Sequence, residues 1–395
     1  MLFAKWKLLN GKSTLDCADE AGSFACLSAR FTLEFNTSPV SHAVARTQAE
    51  LHMRLILQAD AAFENVVTTT GSEPLLAEAA SELFKQSLAN PVHHLAYHPD
   101  LTSVDRGRPG EMVAALIIMQ ARDASLAASA IERRWVPVSD FMQALLPPSA
   151  FETLLSSLPT FWREGELKTF EETFRDYAMW FNHIITVQRG VLMKTEHLWK
   201  FITRGAMIVC PVNYGGVDIV LPVCVTKGNL SRDTVTAILI QVKTSDRFQC
   251  SIDNFCFDEM NPSSLVFSEG QSPRPIIRMV FALGSHEAGV VIRSLLPCGS
   301  ESEQDDSDED DSDNENDDCQ GDFTSFDIWC AGLSADSFKD IGGDLAAYKV
   351  LLDRSLRSHI SEAIDLMDDP TLNDETKAAR VEYRRRMLEM SYVEG

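Results

Sequence analysis

The stretch Gly216–Lys243 constrains this chain more than any other. It reads GVDIVLPVCVTKGNLSRDTVTAILIQVK, with two apolar runs, Val217–Val225 and Ala237–Val242, flanking a polar segment, Thr226–Asp233. Each run is short and rich in β-branched residues, so each reads as a buried strand. A polar turn of this length joins them as an antiparallel hairpin. Side chains two residues apart share a face of a strand. Asp218 therefore points with Val220 and Pro222, and Gln241 and Lys243 point with Leu239. Three polar groups are thereby placed in an apolar sheet. Burying them is costly unless they serve each other or a ligand, and conflicts of this kind mark functional sites.

This arrangement resembles the PD-(D/E)xK nuclease superfamily, with its restriction-endonuclease-like fold. The resemblance implies an α/β (α+β) chain with a mixed-sheet core. It also implies a divalent metal, Mg²⁺ or Mn²⁺, held by the Asp and by an acidic residue of the second strand, with the Lys assisting the attacking water. Asp218 matches the metal-binding Asp and Lys243 matches the Lys. Gln241 departs from the pattern, standing where the superfamily usually carries Glu or Asp; its amide oxygen can coordinate Mg²⁺ but brings no charge. In the superfamily an acidic residue on the first helix of the core often joins the metal site, and Glu111 takes that place. A purely structural reading of Glu111 is equally complete: it lies in the first turn of a helix opened by Pro109, where a carboxylate complements the helix dipole. The chain also looks like large families of uncharacterised fungal proteins, some joined to Crinkler-type effector modules. The stretches RGAMIVCPVNYGGVDIVLPV and TAILIQVK carry that likeness, which covers roughly residues 105–300.

The chain of 395 residues has room for two domains or one large decorated one. We expect a mostly helical N-terminal segment, 1–100, and a nuclease-like domain, 101–395, with a helical insertion at 135–200. No apolar run reaches the ~20 residues that span a bilayer, so no membrane partner is expected, and MLFAKWKLL is too short and too basic for a signal peptide. Nine Cys without a CxxC pair point to reduced thiols and an intracellular, nuclear or cytoplasmic, protein. Net charge is −23, and the tract Ser300–Asp318 holds twelve of the acids and no base; without it 46 acids still face 35 bases. An acidic body counts against tight nonspecific nucleic-acid binding, which phosphate neutralisation drives, but leaves room for a local basic cleft. The tract itself cannot build a core and is expected to be a disordered acidic loop. Within it Ser302, Ser307 and Ser312 each have an acidic residue three positions on, suiting an acid-directed kinase.

Along the chain, Asn10-Gly11-Lys12-Ser13-Thr14 lacks the first Gly of a phosphate loop, which would fall at Trp6, and reads as a loop. Helices are expected at His42–Ala62, at Ser72–Asn90 with Ser72 as N-cap, and at Pro109–Arg134. His94 and His98 would share a helical face as metal ligands, but Pro91 and Pro99 bracket too short a segment, and a surface loop is the simpler reading. Residues 135–200 read as helices, the last being FEETFRDYAMWFNHIITVQRG. Trp162, Phe170, Phe174, Tyr177, Trp180 and Phe181 could stack on bases, although spacing such as 170, 174, 177, 181 is ordinary helical core. A helix Thr195–Thr203 closed by Gly205, a strand Ala206–Val212 and later strands at Ile276–Leu283, Gly289–Leu296 and Phe326–Gly332 follow. Helices at Leu345–Met367 and Asn373–Met390 complete the chain.

Two functions fit these residues. One is a metal-dependent nuclease acting on DNA or RNA through Asp218, Gln241, Lys243 and Glu111. The other is a nuclease-fold binding or interaction protein of a fungal effector-like family, weak or inactive in catalysis, in which Lys243 merely protects a strand end and Asp218 is a turn residue. A concave surface around Asp218 lined by Arg204, Lys227, Arg232 and Arg247 would favour the first.

Overall fold

The computed structural model describes residues 1–294 and 321–353, apart from 17–18, 32, 36–38, 64–65, 88–89, 98–103, 106–108, 129–133, 188–189, 212–213, 215 and 269. The acidic tract 300–318, His98 and the expected helix Asn373–Met390 lie outside the described residues. The N-terminal part holds α1 (Leu2–Leu8), α2 (Glu20–Arg30), β1 (Glu34–Phe35), α3 (Pro39–Leu51), the hairpin β2 (Leu55–Ala59) and β3 (Val66–Thr69), α4 (Pro74–Gln86), α5 (Pro91–Tyr97) and β4 (Val104–Asp105). Then come α6 (Pro109–Ala127), β5 (Val136–Pro137), α7 (Val138–Leu145), α8 (Pro148–Ser156), α9 (Phe170–Phe174), β6 (Tyr177–Met179), β7 (His183–Thr186), α10 (Thr195–Arg204) and β8 (Ala206–Val209). The central hairpin is β9 (Ile219–Val225) and β10 (Val235–Lys243), followed by α11 (Asn254–Glu259), α12 (Pro262–Leu265), β11 (Ile276–Ala282), β12 (Gly289–Arg293) and β13 (Ser325–Ala331). Residues 345–353 are helical.

The fold is α+β, built on a nine-stranded mixed sheet. Its path runs β12-β13-β11-β10-β9-β6-β5, with β8 on β9 and β7 on β8. β9 and β10 are antiparallel, with Ile219 opposite Ile240 and Val220 opposite Leu239. β10 runs parallel to β11, placing Lys243 beside Ala282, and β11 runs parallel to β13. A parallel step needs a crossover, and α11 and α12 supply it.

The hairpin is covered on both faces. Ile219, Leu221, Val223, Ile238 and Ile240 join a core shared with α6, α7 and α9. Val220, Cys224, Val235, Ala237 and Leu239 join a second core with Leu198 and Ile202 of α10 and Cys256 and Phe257 of α11. Burial on both faces is why the two runs are almost continuously apolar rather than alternating. Leu8, Phe24, Leu27, Leu83 and Leu95 belong to the first core, so the apolar interior is continuous from the N-terminal segment to the sheet.

Three expectations need correction. The insertion 135–200 is not wholly helical: it carries β5, β6 and β7, all strands of the main sheet. In FEETFRDYAMWFNHIITVQRG the α-helix among the described residues is Phe170–Phe174, opened by a capping box between Thr169 and Glu172. Four of the insertion's aromatics, Phe170, Phe174, Tyr177 and Phe181, are core: Phe170 and Phe174 pack on Phe326 with ring centroids 5.2 and 5.7 Å away, and Phe181 packs on Phe141, while Trp162 and Trp180 are half-buried. The expected helix His42–Ala62 stops at Leu51, and Leu55–Ala59 is a strand of the small β2–β3 hairpin. Finally, Pro91–Tyr97 is a helix and not a loop. Asn90 opens it, its Oδ1 accepting from the Val92 N–H at 2.9 Å, and His93 pairs with Asp344 at 3.0 Å.

Candidate active site

The site lies at the end of the hairpin opposite its turn, where β9 begins and β10 ends. Gly216 turns the chain into β9 with φ +71°, a left-handed conformation. A Cβ there would come within 2.5 Å of the Glu259 Cβ, so the backbone lies directly against that residue. Two residues on, the Asp218 N–H donates to the Ile240 carbonyl at 2.9 Å and its carbonyl accepts from Cys210 N–H at 2.8 Å. Its carboxylate oxygen Oδ2 accepts from the Val242 N–H at 2.6 Å. The side chain thus extends the ladder just before β9 begins, a structural role that the sequence did not reveal.

On β10, Gln241 is buried, 4% exposed. Its Nε2 donates to Oε2 of Glu259 at 3.1 Å, and its Oε1 is enclosed, with no hydrogen-bond partner among the described residues. Such an acceptor costs about 1–3 kcal/mol unless something fills it. Lys243 is 9% exposed, its ammonium over the Phe248 ring at 5.2 Å, where the ring face attracts a cation. Arg247 covers the same ring at 4.6 Å. Among the described residues no carboxylate pairs with the Lys243 ammonium. Cys256 is close by: burial pushes its thiol up to about 11, against the lowering influence of Lys243.

The structure therefore brings Gln241 and Lys243 to one face, by the same alternation that places Leu239 in the second core, and sets Asp218 at the adjoining strand end. Glu111 stands in the first turn of α6, whose Gly110 packs against β10: a Cβ on Gly110 would meet Thr244 at 2.5 Å and Val242 at 3.0 Å. Val242 points into the first core and not the second, so the helix reaches the strand end from the opposite face. Glu259 was missed in the sequence. It sits at the end of α11, eighteen residues beyond Gln241, with no local pattern to mark it; the signal would have been an acid on the crossover helix returning to the end of β10.

Of the four basic residues expected around Asp218, three lie elsewhere. Lys227 pairs with Asp176 at 2.7 Å and Arg232 with Asp233 at 3.6 Å, both in the hairpin turn at the far end of the strands. Arg204, at the end of α10, binds Ser72. Only Arg247 lies near the candidate site. Among the described residues no three His, Cys, Asp or Glu side chains gather to hold a metal ion. A cation here would rest on two carboxylates and the amide oxygen.

Comparison with known proteins gives one match: the family model described as "Domain of unknown function (DUF8736)" covers residues 14–266. No curated protein and no solved structure matches the chain. Among the described residues no helix is long and apolar enough to cross a membrane.

Proposed function

The chain belongs to the DUF8736 family, a domain of unknown function, and from that premise we propose a metal-dependent, nuclease-like activity that cleaves phosphodiesters of DNA or RNA. The observation that carries it is the buried Gln241 Oε1, without a hydrogen-bond partner among the described residues, on a side chain held by Glu259 and two residues from a buried ammonium. A buried acceptor and a buried cation, neither partnered among the described residues by a donor or a carboxylate, are both expensive, and a cation together with a phosphate relieves both. The α+β sheet, with its hairpin delivering Asp218 and Lys243 to one end, supports the same reading.

The residues fit a hard divalent cation such as Mg²⁺ or Mn²⁺, which prefers oxygen ligands. Asp218, Glu259 and the Gln241 oxygen would hold it, with Glu259 supplying the charge that position 241 lacks. When bound, such an ion lowers the pKa of water and offsets phosphate charge. Lys243, kept in place by Phe248, orients the attacking water or balances charge developing on phosphate. Glu111 belongs to the same proposal as an outer acid from α6. An intracellular setting, nuclear or cytoplasmic, would supply such substrates.

A second reading has its own support. With Asp218 engaged by Val242 and with Arg204, Lys227 and Arg232 at the far end, a nuclease-fold binding protein without catalysis also fits. Cleavage of labelled single- and double-stranded DNA and RNA with Mn²⁺ at roughly ten times the ~10⁻³ M dissociation constant of a weak oxygen-ligand site separates the two. Metal-dependent cleavage lost in Lys243→Ala supports the enzyme; no cleavage by the wild-type protein on any of the four substrates supports the binding module.

A further inference from the structure

Ser72 occupies the turn before α4, where the sequence suggests a helix N-cap. It does not cap: Glu73 holds that position, with no side-chain capping bond. The Ser72 hydroxyl instead lies 2.7 Å from Nε2 of His183, the first residue of β7. Nδ1 of the same ring lies 2.8 Å from Oδ1 of Asn182. The Asn182 amide is fixed in one orientation, because its Nδ2 donates to the Pro74 carbonyl at 3.0 Å and to the Glu78 carboxylate at 2.9 Å. Glu78 is itself held by Arg122 at 2.7 Å. Asn182 Oδ1 is therefore an acceptor, the imidazole proton resides on Nδ1, and Nε2 accepts from the Ser72 hydroxyl. Arg204 completes the group: its Nε donates to Ser72 Oγ at 3.2 Å, and another of its nitrogens donates to the Ser72 carbonyl. Burial, with Arg204 and Arg30 nearby, pushes the His183 imidazole down to about 4, so the ring is neutral and accepting at neutral pH and a weaker base than an ordinary histidine.

Hydroxyl, imidazole and orienting amide within hydrogen-bond reach, with a cation on the nucleophile oxygen, are the parts of an activated serine. A tether between α4 and the sheet would need neither the fixed tautomer nor the guanidinium on Oγ. We propose that Ser72 is a nucleophile toward carboxylic esters, with His183 as its general base and Asn182 as a positioning residue. Oγ adds to the carbonyl carbon while its proton passes to His183 Nε2. The ester C–O bond then breaks, and that proton goes to the departing alkoxide. Water attacks the acyl-serine, gives a proton to Nε2, and Oγ leaves and regains it. The sum is ester plus water to acid plus alcohol. Arg204, beside Oγ, balances the negative charge that develops there. This site shares no residue with the one at Asp218.

A fluorophosphonate probe tests it, the Oγ–P bond forming as fluoride leaves. Peptide mapping should place the adduct on Ser72. Because positioned acid–base catalysis contributes about 10²–10⁴-fold, labelling of Ser72 should be at least about a hundredfold faster in the folded protein than in the same chain in urea. Asn182→Ala, where it retains a cooperative melt, should slow labelling about tenfold or more, and Ser72→Ala should abolish both the adduct and p-nitrophenyl acetate turnover. An unlabelled Ser72, or equal rates folded and unfolded, overturns the proposal. The folded-to-unfolded comparison uses the wild-type chain alone and stands even if a variant does not fold.

Discussion

Gln241 donates its side-chain amide to Glu259 across 3.1 Å, and the contact returns a carboxylate to a strand that lacks one. Glu259 reaches the site from the crossover helix, and Gly216 makes room for it. The pair also sets the orientation of the amide, turning its oxygen away from Glu259 and leaving that oxygen enclosed and unpartnered.

Gln241→Glu should set a second carboxylate against Glu259. Like charges in contact raise a carboxyl pKa, and one such unit is worth about 1.4 kcal/mol. The metal-free variant should therefore be less stable by about 1–2 kcal/mol. Added Mn²⁺ should raise its melting temperature more than it raises that of the wild type, since a hard cation favours charged oxygens. Melting curves of both proteins with and without Mn²⁺ check this; equal metal shifts would contradict it.

Lys243→Met separates packing from chemistry. Methionine keeps an apolar stem over Phe248 and removes a buried charge, so stability in urea should change by less than about 1 kcal/mol or rise. Phosphodiester cleavage should fall by about 10²-fold or more, the scale of losing one electrostatic group from a reacting centre. Unchanged cleavage would remove Lys243 from the site.

Arg278 and Asp327 face each other on β11 and β13, joined by two bonds of 2.7 and 2.6 Å and almost wholly buried. Asp327→Ala leaves the guanidinium with the Phe257 carbonyl as its described hydrogen-bond partner, and with the Phe161, Phe257 and Phe323 rings around it. Breaking a buried pair on one side costs about 3–5 kcal/mol. The urea midpoint should drop accordingly, and Arg278→Met in the same chain should recover part of the loss. A change under about 1 kcal/mol in Asp327→Ala would show the pair to be incidental.

His183 makes stability depend on pH. Its folded pKa lies near 4, through burial first and then the charges of Arg204 and Arg30, below an ordinary value near 6.5. The unfolded chain therefore binds more protons between those values, and stability falls as pH drops through 6.5 toward 4. The full effect is about 3 kcal/mol. Urea titrations between pH 7.5 and 5, the acid limb of that window, should show a steeper loss in the wild type than in His183→Asn. Parallel slopes would contradict it.

How much of this was legible in the sequence depended on the range of the interaction. β9 and β10 were readable because burial on both faces writes itself as two β-branched runs, and Asp218, Gln241 and Lys243 stood out as exceptions inside them. The stretch after Phe174 was misread because Phe170, Phe174, Tyr177 and Phe181 are spaced as on one helix, while the chain in fact turns from a capped helix into two strands that close the sheet. Leu55–Ala59 was absorbed into a neighbouring helix because its partner, β3, lies beyond a turn. Glu259 and the Ser72–His183 contact join residues 18 and 111 positions apart, and no periodicity carries contacts of that kind. Asp218 stands out for its charge, but its hydrogen bond to Val242 N–H depends on where β9 begins, which only the register reveals.

The central claim is that Asp218, Glu259 and the Gln241 oxygen together hold a divalent cation. Isothermal titration of Mn²⁺ into the wild type, Asp218→Asn and Glu259→Gln tests it directly, each protein first shown to melt cooperatively. One saturable site is expected in the wild type, of modest affinity at about 10⁻⁴–10⁻³ M because one ligand is neutral, and no saturable heat in either variant. Equal, negligible heats in all three proteins, or an undiminished site in Glu259→Gln, would contradict it.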